Sequence, residues 1–250
     1  MHNLNNLKMD GFTYQDWTAY FVKNGEQRLC IDFSQEQELP QPLHALVFPA
    51  IRLFQVGESS EGKHLLKTAE AFANAFGQPD YPETVKEFIK EENWHSAYLK
   101  KYMDFHKVNA ADGSRLQGAF QKLRRLGGLK CEVNVLVTAE MIALTFYNAL
   151  ANCTASSALK SICAQMLHDE LPHIVFQSYT LGHFKNNAVS HLWRKTLMCG
   201  VSLLLWLRFH KIYQVGGYGF LRFWQENFGY LRQSIQLTKK FEKQNRAFTM

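Results

Sequence analysis

The chain has 250 residues, enough for one large domain, and a mix of 46% hydrophobic and 20% charged residues that marks a globular chain rather than a disordered one. Fifteen glycines and six prolines exclude collagen-like and low-complexity architectures. The net charge of +6 permits nucleic-acid contact without demanding it.

Met1 to Asp10 is polar and is read as something other than a signal peptide. Tyr20-Phe21-Val22, Lys23-Asn24-Gly25-Glu26 and Leu29-Cys30-Ile31 read as a small β-hairpin, because Asn-Gly supplies the positive φ angles of a tight turn. Pro40 and Pro42 then interrupt regular structure. From about Leu43 the apolar residues recur at three and four, which predicts helices over 47–77, 82–105, 114–126, 129–153, 156–184, 187–213 and 216–245. Gly77 to Pro82, Asn109 to Ser114, Gly127-Gly128 and Gly216-Gly217 mark the breaks, and Thr154, Ser156 and Ser157 offer helix caps. Leu197 to Leu207 is read as the most apolar run. At 11 residues it is about half of what a bilayer requires, so it is taken as a buried helix and no transmembrane segment is expected. Leu203, Leu204, Leu205, Trp206 and Leu207 are expected to be covered, on the rest of the protein or in a homodimer. The five cysteines are odd in number and lack C-x-x-C spacing, which points to a reducing, cytoplasmic setting.

Two long helices repeat one short pattern, Glu92-Asn93-Trp94-His95 and Glu170-Leu171-Pro172-His173. Glu and His three apart lie on one helical face and can reach one metal ion. Both pairs fall on apolar stripes: Phe88, Glu92, His95, Leu99 in one helix and Met166, Glu170, His173, Gln177 in the other. A carboxylate on such a stripe is costly without a partner or a metal. The stripe Val133, Val137, Glu140, Leu144, Tyr147 adds a third acid. Over 47–77, Glu58 falls near the centre of the stripe Val47, Ile51, Phe54, Leu65, Ala69, Phe72, Phe76, whereas Glu61 lies roughly 60° to one side. Glu58 is the favoured ligand there and Glu61 the close second.

One Glu from each of two helices and a Glu-x-x-His from each of two others is the donor set of di-iron and di-manganese carboxylate bundles. On these residues, over roughly 47–184, the sequence resembles the ferritin-like di-iron superfamily of rubrerythrins, ribonucleotide reductase small subunits and acyl-carrier-protein desaturases, with bacterial ferritin-like proteins as the nearest group. The stretches Phe88 to His95, Leu136 to Ala143 and Ile162 to Gln177 carry the likeness. The resemblance implies an all-α fold: one ferritin-like four-helix bundle spanning 1–250, with the hairpin extension at 1–45, the di-metal bundle at 47–184 and extra C-terminal helices at 187–245. It implies that Glu58 or Glu61, Glu92 and His95 hold one metal and Glu140, Glu170 and His173 the other, with bridging carboxylates. It further implies two iron ions, two manganese ions or a mixed pair, dioxygen and a small organic molecule as substrates, and an electron-donor protein. The expected function is that of a non-haem di-iron or di-manganese oxidoreductase. The alternatives are an iron-handling ferroxidase or peroxide-consuming protein, or a metal-free interaction scaffold.

Pro172 departs from the pattern, since it removes a helix hydrogen bond and is expected to kink the helix or raise a bulge that shifts His173. Glu87 and Glu91 are expected to face solvent, and His168 to lie off the stripe. Asp169 is expected at the surface, or as the acceptor that a metal-bound His95 requires. Tyr147 and Tyr98 are read as core or as electron relays. Lys122, Arg124 and Arg125, like Lys239, Lys240, Lys243 and Arg246, read as solvated basic faces, so nucleic acid is not an expected partner.

Overall fold

The computed structural model describes residues 1–59, 62–110 and 127–247, with side chains described to residue 245. Among these residues there are eight α-helices and no strand. They are α1 (Tyr14–Glu26), α2 (Gln41–Glu58), α3 (Lys63–Phe76), α4 (Tyr81–Phe105), α5 (Gly128–Asn152), α6 (Ser157–Leu181), α7 (Ala188–Val215) and α8 (Phe220–Ala247). The expected helix at 114–126, with Lys122, Arg124 and Arg125, lies outside the described residues.

The expected β-hairpin is absent, and α1 stands in its place. Thr13 accepts a hydrogen bond from the Asp16 amide while Asp16 accepts one from the Thr13 amide at 2.8 Å, a capping box that starts a helix. Tyr14, Trp17 and Phe21 then bury one helical face. Asn24-Gly25 occupies the last turn of that helix rather than a hairpin turn. The single helix expected over 47–77 is also two: α2 ends at Glu58 and α3 begins after Gly62, whose φ is +67°. A side chain there would collide with Ile89, so the break favours glycine on both counts.

The core draws on all eight helices, and α2, α4, α5 and α6 surround its polar centre. Gln55 meets Ser96 and Phe48 meets Tyr102, so α2 and α4 run antiparallel. Lys130 reaches the Lys185 carbonyl and Gln177 reaches Glu140, so α5 and α6 run antiparallel as well. The ring of Phe54 on α2 stacks on Phe146 of α5, with centroids 3.7 Å apart, and joins the two pairs. The α6 helix continues through Pro172 without non-helical residues, whereas α7 kinks at Phe209. Buried Arg194 of α7 donates to Ser234 and Thr238, which docks α8. Lys240 of α8 pairs with Asp10 at 2.6 Å.

One described helix, α5, is long and apolar enough by length and composition to cross a membrane, and 83% of its most apolar window is buried inside the molecule. Within the single chain the run Leu203 to Leu207 is covered only in part: Leu205 is buried and Trp206 half-buried, but Leu203, Leu204 and Leu207 are exposed. Leu197, Met198, Val201 and Leu205 face the core and the other three leucines face away from it.

Candidate metal centre

Six of the seven predicted ligands converge between α2, α4, α5 and α6. Donor atoms of Glu58, Glu92, His95 and Glu170 lie within 4.8 Å of one another, as do those of Glu92, Glu140, Glu170 and His173. Glu92 and Glu170 belong to both groups. The seventh predicted ligand, Glu61, lies outside the described residues, and Glu58 at the last turn of α2 supplies the carboxylate from that helix. Pro172 does not displace His173, whose Nδ1 is 3.0 Å from Glu92 and 3.5 Å from Glu170.

Both imidazoles have the same orientation. His95 gives Nε2 to Asp169 at 3.0 Å, and His173 gives Nε2 to Glu91 at 2.8 Å. Their Nδ1 atoms point inward and are buried; His95 Nδ1 and Glu140 Oε2 have no hydrogen bond, and His173 Nδ1 faces Glu92 at 3.0 Å and Glu170 at 3.5 Å. Buried polar atoms are almost always paired, so unpaired donors beside a cluster of carboxylates mark a place that could hold a cation. A ring nitrogen held outside by a carboxylate and another free inside is how protein imidazoles present themselves to metals. The donor set, carboxylates and neutral imidazoles, is of the kind that could hold a metal ion.

The outer carboxylates divide the expectations. Glu91 is buried, not solvent-facing, whereas Asp169 is buried as the acceptor of His95, the second of the two places expected for it. A single amide links them: Asn24 Nδ2 donates to Glu91 at 3.0 Å and to Asp169 at 2.9 Å. Gln165 and the exposed His168 also donate to Asp169. Asn24 follows Trp17 by seven residues and Phe21 by three, so it shares their inward face. That spacing was the available signal, hidden by reading Asn-Gly as a turn. On the inner ring, Tyr147 donates to Glu58 at 2.6 Å and Gln177 donates to Glu140. Tyr98 instead accepts from the Leu29 amide, away from the cluster. Phe21 and Phe88 pack edge-on against the His173 ring.

The electrostatics follow from burial of many like charges. Burial, then the neighbouring carboxylates Glu92 and Glu170, drives Glu58 well above the usual carboxylate range, against the pull of His95 and Tyr147. Burial likewise raises Glu140 and Glu170. Burial also opposes ionisation of Glu92, but its contact with His173 prevails and lowers it. Burial works against a charged His95, yet the Asp169 bond and three surrounding glutamates push it up to about 9. The same contest raises His173 well above the ordinary imidazole value. Asp169 is held well below its usual range, because His168, His95 and Asn24 outweigh its burial. The metal-free cluster thus stores protons at the positions a cation would take.

Comparison with known protein families, curated proteins and solved structures gives no match. Fold and site define the class: an all-helical protein with a buried glutamate–histidine cluster that can hold metal.

Proposed function

We propose that this chain is a ferritin-like non-haem dinuclear metalloprotein, an oxidoreductase that uses two iron or two manganese ions to activate dioxygen. The observation that carries this reading is the pair of donor groups sharing Glu92 and Glu170. Two groups with common carboxylates fit two adjacent ions, whereas a structural zinc site is a single closed tetrahedron, usually with thiolates. Glu58 and His95 would hold one ion and Glu140 and His173 the other, with Glu92 and Glu170 within reach of both. Such a pair, when bound, would supply redox chemistry toward dioxygen.

The chain's own residues set the conditions for that chemistry. Asp169 and Glu91 fix the imidazole tautomers and ring planes, and Asn24 fixes Asp169 and Glu91. Tyr147 holds a proton against Glu58, since burial and the Glu58 charge raise its pKa well above the ordinary phenol value. Phe21 and Phe88 keep water from the His173 side.

Metal analysis by mass spectrometry after anaerobic loading with Fe(II) or Mn(II) tests the reading. Close to two ions per chain, followed by oxygen uptake on exposure to air, is the expected result. A single zinc or no retained metal overturns it. Oxygen uptake that ends with bound ferric ion and no oxidised product from any organic substrate transfers the site to iron handling.

A further inference from the structure

We infer that the outer face of α7, with the start of α8, is a docking surface for an anionic lipid bilayer. Of the 13 large hydrophobic side chains that are exposed among the described residues, nine lie between Val189 and Leu221. Leu192, Trp193, Leu203, Leu204 and Leu207 recur at helical spacing and form one stripe, opposite the face that Leu197, Met198, Val201 and Leu205 bury. Leu207 is 77% exposed and Leu192 64%, so neither is a rim residue of the core. Phe220 and Leu221 extend the apolar surface onto α8. From Leu192 to Leu207, before the kink at Phe209, the stripe runs along about 22 Å of α7.

The charge around the stripe selects the occupant. Exposed Lys195 and Arg208 stand roughly 100–120° to either side of its midline. From Lys185 to the end the chain has eleven Lys and Arg and two acids, Glu226 and Glu242; the preceding residues have seventeen and twenty. No acidic residue lies on α7. Pairing with a second copy would set this face against itself, cation to cation, with no acid on α7 to answer. A helix with leucine and tryptophan on one face and Lys and Arg at its margins suits the boundary between headgroups and acyl chains, where the stems lie along the apolar surface and the charges meet phosphate. The surface lies on α7 and α8, outside the four helices that hold the cluster, and does not depend on metal.

Vesicle flotation of the full chain tests this, with vesicles of phosphatidylcholine alone and of phosphatidylcholine and phosphatidylglycerol in equal parts. The expected result is at least about tenfold more binding to the anionic vesicles, weakened by salt and the same with or without metal. A cation near an anionic surface contributes about fivefold, so Lys195→Glu with Arg208→Glu should reduce binding by roughly 25-fold or more. Leu192→Glu with Leu207→Glu should abolish it, and both exposed pairs should melt with the wild type. Flotation unchanged by either pair, equal flotation on both vesicles, or none at all overturns the proposal. So does a dimer in light scattering that Leu192→Glu with Leu207→Glu dissociates while the wild type fails to float, because a second copy would then cover the face.

Discussion

Inside α2, α4, α5 and α6, four glutamates and two histidines stand where a helical core ordinarily packs carbon. On the outside of α7, leucines and a tryptophan stand where a surface ordinarily carries charge. The two regions invert the usual pattern in opposite senses, and they differ in how firmly the fold supports the inversion. In the interior, Asp169, Glu91, Asn24, Tyr147 and Gln177 surround the cluster and fix the orientation of its ligands. Around α7, the support is two flanking cations and an absence of acids on the helix. A polar group in a low-dielectric core is costly unless every bond is arranged. An apolar group in water costs less and needs no such scaffold. A rigid, many-partnered site and a soft, shallow surface are what those two costs produce.

The sharpest way to break the comparison is to remove a shared ligand. Glu170→Ala should eliminate both ions, because Glu170 belongs to both donor groups, whereas Glu58→Ala should spare one. Saturating metal should raise the melting temperature of the wild type by about 10 °C and leave Glu170→Ala unmoved. Two ions retained by Glu170→Ala would sink the assignment. The next effect is on pH. His95 carries a proton up to about pH 9, which a metal must displace, so affinity should fall on acidification by about tenfold per pH unit for each proton displaced. The sign reverses for the metal-free fold. A raised imidazole pKa stabilises it fully below the ordinary value of 6.5, and that contribution is lost as pH rises through about 9. Raised Glu58, Glu140 and Glu170 act in the same direction. Thermal melts of metal-free and loaded protein across this window should therefore diverge as pH increases, and parallel curves would count against it.

Asn24→Ala should weaken metal binding by about 10- to 100-fold in a chelator competition, since it frees both outer carboxylates at once. An unchanged affinity would reduce Asn24 to a packing residue of α1. The smallest effect belongs to the outer face. Leu207→Glu should alter unfolding free energy by less than about 0.5 kcal/mol in urea titration, because its side chain is mostly in water already. A loss of several kcal/mol would show that the face is covered.

The legible parts of this protein were those in which a residue type contradicted its neighbours. Glu92, His95, Glu140, Glu170 and His173 were visible as polar letters on apolar stripes, and helical phase favoured Glu58 while leaving Glu61 open. Glu91 was misread, and Asp169 left between the surface and His95, because each sits one position before a ligand and a helix's angular pattern assigns that position to its flank. Neighbouring helices bury the flank too, and no periodicity within one helix reports on that. The N-terminal hairpin failed for a related reason: the turn preference of Asn-Gly yields to the Thr13–Asp16 cap and to the burial of Tyr14, Trp17 and Phe21. For the run through Leu207 the sequence left the cover open, because an all-apolar helix does not reveal which of its sides the fold covers.

Composition and periodicity by themselves determined the helical class, most helix limits and the six polar residues that meet in the core, because burial imposes its cost residue by residue along each helix. Only the tertiary structure decided that Glu92 and Glu170 are shared, that Asn24 ties the two outer carboxylates together, and that α7 turns its leucines outward. Those facts depend on distances between residues far apart in the chain, and they exist only once the helices are packed.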